Sequence, residues 1–320
     1  MAYGFAGYIG VAREVSWGSA VAATDFVEAL NENLTRDIDR FDYKNIIGTM
    51  ATPDDIAGIN RYKGTIAFAV NPVNFGYFLM SCFNTVSISS VTSGFTWNHR
   101  YTQPTTSNSA FSSDAPSLPL TVDIFRDVTT AVRYAGNLVS ALTLSFNPNQ
   151  EVRATVDLIG RSDAFTAKVT PTFPGSPAKP FTFDTCSISL GGAASALFES
   201  LTIKIDNKYD GIPTLDGTTY VNKIRRTSFQ SVTIDGTVDF TNMTEYVNFI
   251  NQTQQALTVN VTKAASYAMT VIIPNMVYTS FPLGMRGKDR ITVGFNAKGF
   301  YNSSSGTGIS IDLTTTKSYY

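Results

Sequence analysis

Charge is scarce in this chain. Only 15% of its 320 residues are charged, against 43% hydrophobic and 12% aromatic, and the net charge is −1. That balance excludes a disordered polyelectrolyte and a protein that grips nucleic acid or an anionic membrane through bulk charge. Histidine is nearly absent. His99 stands alone, so a histidine-rich metal site is excluded, and His99 itself reads as a packed or exposed loop residue. The two cysteines, Cys82 in an apolar run and Cys186 in an alternating strand, read as buried free thiols. No phosphate-binding glycine loop, dinucleotide fingerprint or nucleophile elbow occurs. No basic n-region and apolar h-region mark a signal peptide. The most apolar stretch, residues 66–83, is broken by Asn71, Pro72 and Asn74, which fits a strand and a short helix better than a membrane span. Synthesis in a reducing cytoplasm is expected, where the Asn33 and Asn260 acceptor patterns carry no glycosylation message.

What remains is β pattern. Most of the chain alternates at period two with β-branched and aromatic residues, as in "LTVDIF", "VSALTLSF", "LTIKI" and "LTVNV"; these are half-buried antiparallel strands. Helical spacing occurs at 74–83 and 242–251, and a third short helix is expected at "TPDDIAG", with Thr52 as cap, Pro53 in the first turn and Asp54 and Asp55 at the positive helix end. The short basic runs 223–226 and 286–290 read as solvated or interface turns.

The strands repeat in order. "ENLTRDID" (32–39) returns as "ESLTIKID" (199–206), "GTIAF" (64–68) as "GTVDF" (236–240), "LTVDIF" (120–125) as "LTVNVT" (257–262), and "ATVDLIGRS" (154–162) as "ITVGFNAKG" (291–299). Leu34 and Leu201 are 167 residues apart, Gly64 and Gly236 172, and Thr121/Thr258 and Thr155/Thr292 both 137. Thr-Val-rich strands resemble one another in composition, but shared order and register point to an internal duplication on the scale of whole domains. The expected organisation is a first domain over 1–160, a Pro-rich linker over 161–182, a second domain over 183–300 and a C-terminal extension over 301–320. The first copy carries 35 extra residues, within 84–119. That insertion is rich in Ser, Thr and Pro and holds Phe95, Trp97 and Tyr101. A polar loop of this length costs little in closure entropy, and its aromatics suit either an arm docked on an adjacent subunit or a lid over its own domain.

"REVSWGSAVAATDFVEALNENLT" (13–35), "FTWNHRYTQP" (95–104) and "RYAGNLVSALTLSFNPNQEVRATVDLIGR" (133–161) together resemble bacteriophage tail tube (major tail) proteins over most of residues 8–160, and more weakly over 183–300. The resemblance implies a mainly β fold: two tandem antiparallel β-sandwich or barrel-type tail-tube domains, each with a short flanking helix. It implies a structural virion protein with no enzymatic activity, no cofactor and no metal. Its partners would be itself, in trimeric pseudo-hexameric rings stacked into a tube, and other tail proteins such as the tape measure, tail tip and terminator; duplex DNA would pass through the lumen without specific binding, and no membrane would be involved. Phe95, Trp97 and Tyr101 are the subunit-interface candidates. If each of six domains gives four strands, the 24-strand barrel has a backbone diameter of roughly 48 Å, leaving roughly 38 Å between side chains. Another self-assembling or carbohydrate-binding β-sandwich stays open as an alternative, as does an enzyme on a β scaffold whose signature would be activity lost on His99→Ala.

Overall fold

The structure, a computed structural model, describes residues 2–42, 48, 50–51, 54–92, 95–103, 118–175, 178–284 and 290–320. Its strands are β1 (Tyr8–Arg13), β2 (Asp25–Val27), β3 (Ala29–Glu32), β4 (Thr35–Asp42), β5 (Asp55–Ala69), β6 (Ser87–Thr92), β7 (Thr96–Thr102), β8 (Leu120–Phe125), β9 (Thr130–Phe146), β10 (Arg153–Gly160) and β11 (Ser162–Ala167) in the first half. The second half continues with β12 (Cys186–Leu190), β13 (Ala193–Ser195), β14 (Phe198–Asp206), β15 (Tyr209–Ile212), β16 (Lys223–Arg226), β17 (Ser231–Asp239), β18 (Gln255–Ala264), β19 (Tyr267–Ser280), β20 (Thr292–Phe300) and β21 (Ser310–Thr315). Among the described residues the α-helices are α1 (Phe75–Phe83) and α2 (Thr244–Ile250). The fold is mainly β, with large antiparallel sheets, as the alternation implies.

Both halves run the same path. In the first, β4 pairs with β5, β5 with β10, β10 with β9, β9 with β8, β8 with β1, and β1 with β2. In the second, β14 pairs with β17, β17 with β20, β20 with β19, β19 with β18, β18 with β12, and β12 with β13. Registers correspond as well. Thr35 faces Lys63 and Thr202 faces Asp235; Thr155 faces Ala67 and Thr292 faces Asp239. The repeated glycines share a physical cause, a close crossing of chains: a Cβ on Gly64 would strike the Leu34 backbone, and one on Gly236 the Ser200 carbonyl.

Strand β9 belongs to two layers. Its first part pairs with β8 and β11, its second with β10 and β14. The change of partners falls at Gly136, which has a φ of +70°. Glu14, fully buried, holds this bend: its Oε1 accepts from Gly136 N at 2.7 Å and Thr121 Oγ1 at 2.7 Å, and its Oε2 from Gly18 N at 2.8 Å. Burial raises the Glu14 pKa, against the pull of those bonds and of Arg161. Trp17 Nε1 donates to Gly136 O at 3.0 Å, and the Arg161 guanidinium lies over the Trp17 ring.

The halves are joined by a ladder as regular as any within them. Strand β14 lies antiparallel on β9, with Ile203 facing Leu144 and Ile205 facing Leu142. All four side chains are buried, worth about 1.5–3 kcal/mol each in apolar transfer. Just beyond, Asn207 sends Nδ2 to Cys82 O at 2.8 Å and to Val139 O at 2.9 Å, while its Oδ1 accepts from Gln230 Nε2 at 2.6 Å and Arg226 Nη2 at 3.3 Å.

One expectation needs correcting, and two segments gain detail. Asp54 and Asp55 do not start a helix: Asp55 begins the 15-residue β5, and Arg40 pairs with its carboxylate, so cross-strand pairing prevails over the capping signal; Thr52 and Pro53 lie outside the described residues. The Pro-rich linker opens as a strand, β11, because "SDAFTA" continues β10 along β9. The C-terminal extension ends inside the chain: β21 pairs with β19 and β7, and Tyr320 is buried against Gly76 and Tyr77 of α1.

Candidate functional site

The sheet formed by β4, β5, β10, β9, β14, β17, β20 and β19 has one apolar and one polar face, and period-two pleating fixes which residue goes where. Inward go Ile66, Val156, Leu142, Ile205, Val232 and Ala297, all buried. Outward go Thr65, Thr155, Thr143, Thr202, Thr233 and Thr237, neighbours across successive ladders: Thr155 faces Thr143, Thr143 faces Lys204, and Lys204 faces Thr233. The polar face thus crosses the β9–β14 joint without interruption.

Its charges are balanced. Lys63, Arg153, Lys204 and Lys298 share the face with Asp157, Asp206, Asp235 and Asp239, at intervals that leave no basic stripe. Burial pushes the Asp157 carboxyl up, partly offset by Lys204. Burial also opposes ionisation of Asp206, but hydrogen bonds from Lys208 and attraction to Lys208 and Lys204 outweigh it and hold the carboxyl below its usual range. A hydroxyl-rich wall of this kind offers hydrogen bonds to water everywhere and a concentrated phosphate site nowhere.

The sequence-derived interface residues separate in the structure. Tyr101 is fully buried within the chain, near Phe83 and His99, so it is not exposed for docking. Trp97 is half-buried on β7, facing Ser90 and Thr315. Phe95 is 73% exposed. The described part of the insertion is the hairpin β6–β7, and it adds to the second half of its own chain through the β7–β21 ladder; residues 93–94 and 104–117 of the insertion lie outside the described residues. His99 is buried, with Nε2 2.8 Å from Lys317 O, and burial lowers its pKa. Cys82 and Cys186 are free, and burial pushes the Cys82 thiol up to about 12. Sequence reasoning missed the roles of Glu14 and Asn207. The one signal for Asn207 was its place immediately after the repeated "LTIKID".

Among the described residues no group of three or more His, Cys, Asp or Glu is placed to hold a metal ion, and no helix is long and apolar enough to cross a membrane. An extended polar wall backed by a continuous apolar core defines a structural β protein. Residues 4–313 match the model of the phage tail tube protein family, and the chain belongs to that family. It is a structural component of the virion tail tube, and membership implies self-association and contact with other tail proteins. No curated protein matches the chain.

Proposed function

We propose that the chain carries two tube domains, that three chains close a ring with pseudo-sixfold symmetry, and that stacked rings conduct duplex DNA. The observation that carries this reading is the repeated strand path. β4-β5-β10-β9 and β14-β17-β20-β19 are equivalent four-strand units, already joined edge to edge by β9–β14. One chain then supplies eight wall strands, and three supply 24, enough for a lumen wider than duplex DNA. Closure also pairs the edges that a single chain leaves open. The polar face is the lumen wall in this arrangement, and its balance of charge lets DNA slide rather than bind.

Electron microscopy of the assembled tube, with symmetry determined from the images, tests the ring. Three chains per ring are expected; a true sixfold ring with one domain of each chain in the wall would defeat the reading. A mobility-shift assay at physiological salt tests the conduit, where no retention of duplex DNA is expected and tight binding with a steep salt slope counts against it.

A further inference from the structure

The two helices occupy matching places in the repeated path but very different surroundings. Every residue of α1 is buried. It is covered by the second half of its own chain: Asn207 bonds to Cys82 O, Lys317 Nζ lies 3.0 Å from Tyr77 Oη, and the Tyr320 ring packs on Gly76. No residue of α2 is buried. Met243, Val247 and Ile250, at helical spacing on one side, are 55%, 46% and 58% exposed.

A second mismatch mirrors the first. On β21, Leu313 faces Met269; on β11, Phe165 faces Val132. Met269 and Val132 are themselves equivalent, since they face Val261 and Ile124, which stand in the repeated blocks. Leu313 and Phe165 therefore hold the same position in the two halves. Leu313 is 0% exposed, in the ladder with β7; Phe165 is 78% exposed. Strand β4, equivalent to β14, is likewise exposed along its whole length and, among the described residues, pairs with β5 alone, whereas β14 has β9 on its other edge.

Surfaces that the two halves bury against each other have counterparts left open, β4 and Phe165 in the first half and α2 in the second. We infer that a second copy of this chain covers them: β4 and Phe165 of one chain dock beside the α2 face of Met243, Val247 and Ile250 of the next, repeating between chains the joint built within each. The contact is head-to-tail, because its two sides are different surfaces, and such contacts close into a ring when the rotation between copies closes. This inference rests on the tube reading and gives it residues.

The test uses full-length variants. Val247→Glu with Ile250→Glu blocks one side, and Phe165→Glu the other; all three positions are exposed in the monomer, so circular dichroism melts should match wild type. By sedimentation velocity, at a concentration where wild type assembles, each variant alone is expected to lose assembly, with at least about a tenfold rise in the concentration required, as for interface hot spots. Mixed one to one, the variants should form a heterodimer that grows no further, since the intact Phe165 side of one meets the intact α2 side of the other. Assembly by both variants while wild type also assembles would overturn the inference and leave the tube reading standing. A wild type that stays monomeric at every concentration would overturn both.

Discussion

Replacing Asn207 by Ala removes the one side chain that ties the two halves together at the end of their shared ladder. Besides a longer contact to Cys82 Sγ at 3.5 Å, the wild-type amide makes four bonds to oxygen and nitrogen partners, Cys82 O, Val139 O, Gln230 and Arg226, in a site with no solvent exposure. At about 1 kcal/mol net per bond the loss is about 4 kcal/mol, and the carbonyls left without a donor in a buried site can raise it. A destabilisation of that size lowers a melting midpoint by roughly 2–4 °C per kcal/mol in domains of 150–250 residues, so a fall of about 8 °C is expected for this chain. Asn207→Asp separates the two ends of the amide. It keeps an acceptor for Gln230 and Arg226 but turns a carboxylate toward two carbonyl oxygens, and should cost at least as much. Differential scanning calorimetry of the unassembled protein reads both variants. A midpoint for Asn207→Ala within about 1 °C of wild type, well below the shift expected for four lost bonds, would refute the assignment of Asn207 as the lock of the joint.

Two further outcomes follow from the buried histidine and from the charges of the polar face. His99 has a folded-state pKa below its ordinary 6.5 because it is buried; the unfolded chain therefore takes up the proton first, and this stability is complete above that value and declines as pH falls through it. His99→Gln should flatten the decline in urea midpoint between about pH 7.5 and 5.5, near the ordinary histidine range, and an unchanged slope in the variant would show that another group is responsible. Converting Asp157, Asp206 and Asp235 to Lys would replace the balanced wall with a strongly basic one; tubes of that variant should retain duplex DNA with a steep salt dependence, and tubes that release DNA as wild type does would mean that this face is not the lumen.

Much of this architecture was legible in the residues because alternation is a local signal. "LTVDIF" and "ATVDLIGRS" are strands wherever the chain puts them, and the repeated offsets carried over into matching registers such as Thr155–Ala67 and Thr292–Asp239. The capping signal at Asp54–Asp55 misled because propensity is weak beside a 15-residue ladder. The insertion was harder still. Its aromatics mark burial but not what buries them, and the partner of β7 is β21, more than 200 residues away. Glu14 and Asn207 were illegible for a related reason: a single polar residue declares a buried hydrogen-bond network only when its distant partners, Gly136 for one and Cys82 for the other, are brought beside it.

The sealing of α1 by the second half sets a clock on biosynthesis. Tyr320 donates its hydroxyl hydrogen to Pro72 O across 248 residues of chain, and Asn207 reaches Cys82 across 125. At about 5–20 residues per second, roughly 12–50 s pass between the emergence of the helix and that of its last cover. Throughout that interval a helix containing Phe75, Phe78, Leu79 and Phe83 lacks part of its shelter. A nascent first half is therefore a sticky species, dependent on its own downstream chain or on a chaperone to hold it, and a truncated product would expose this helix to aggregation.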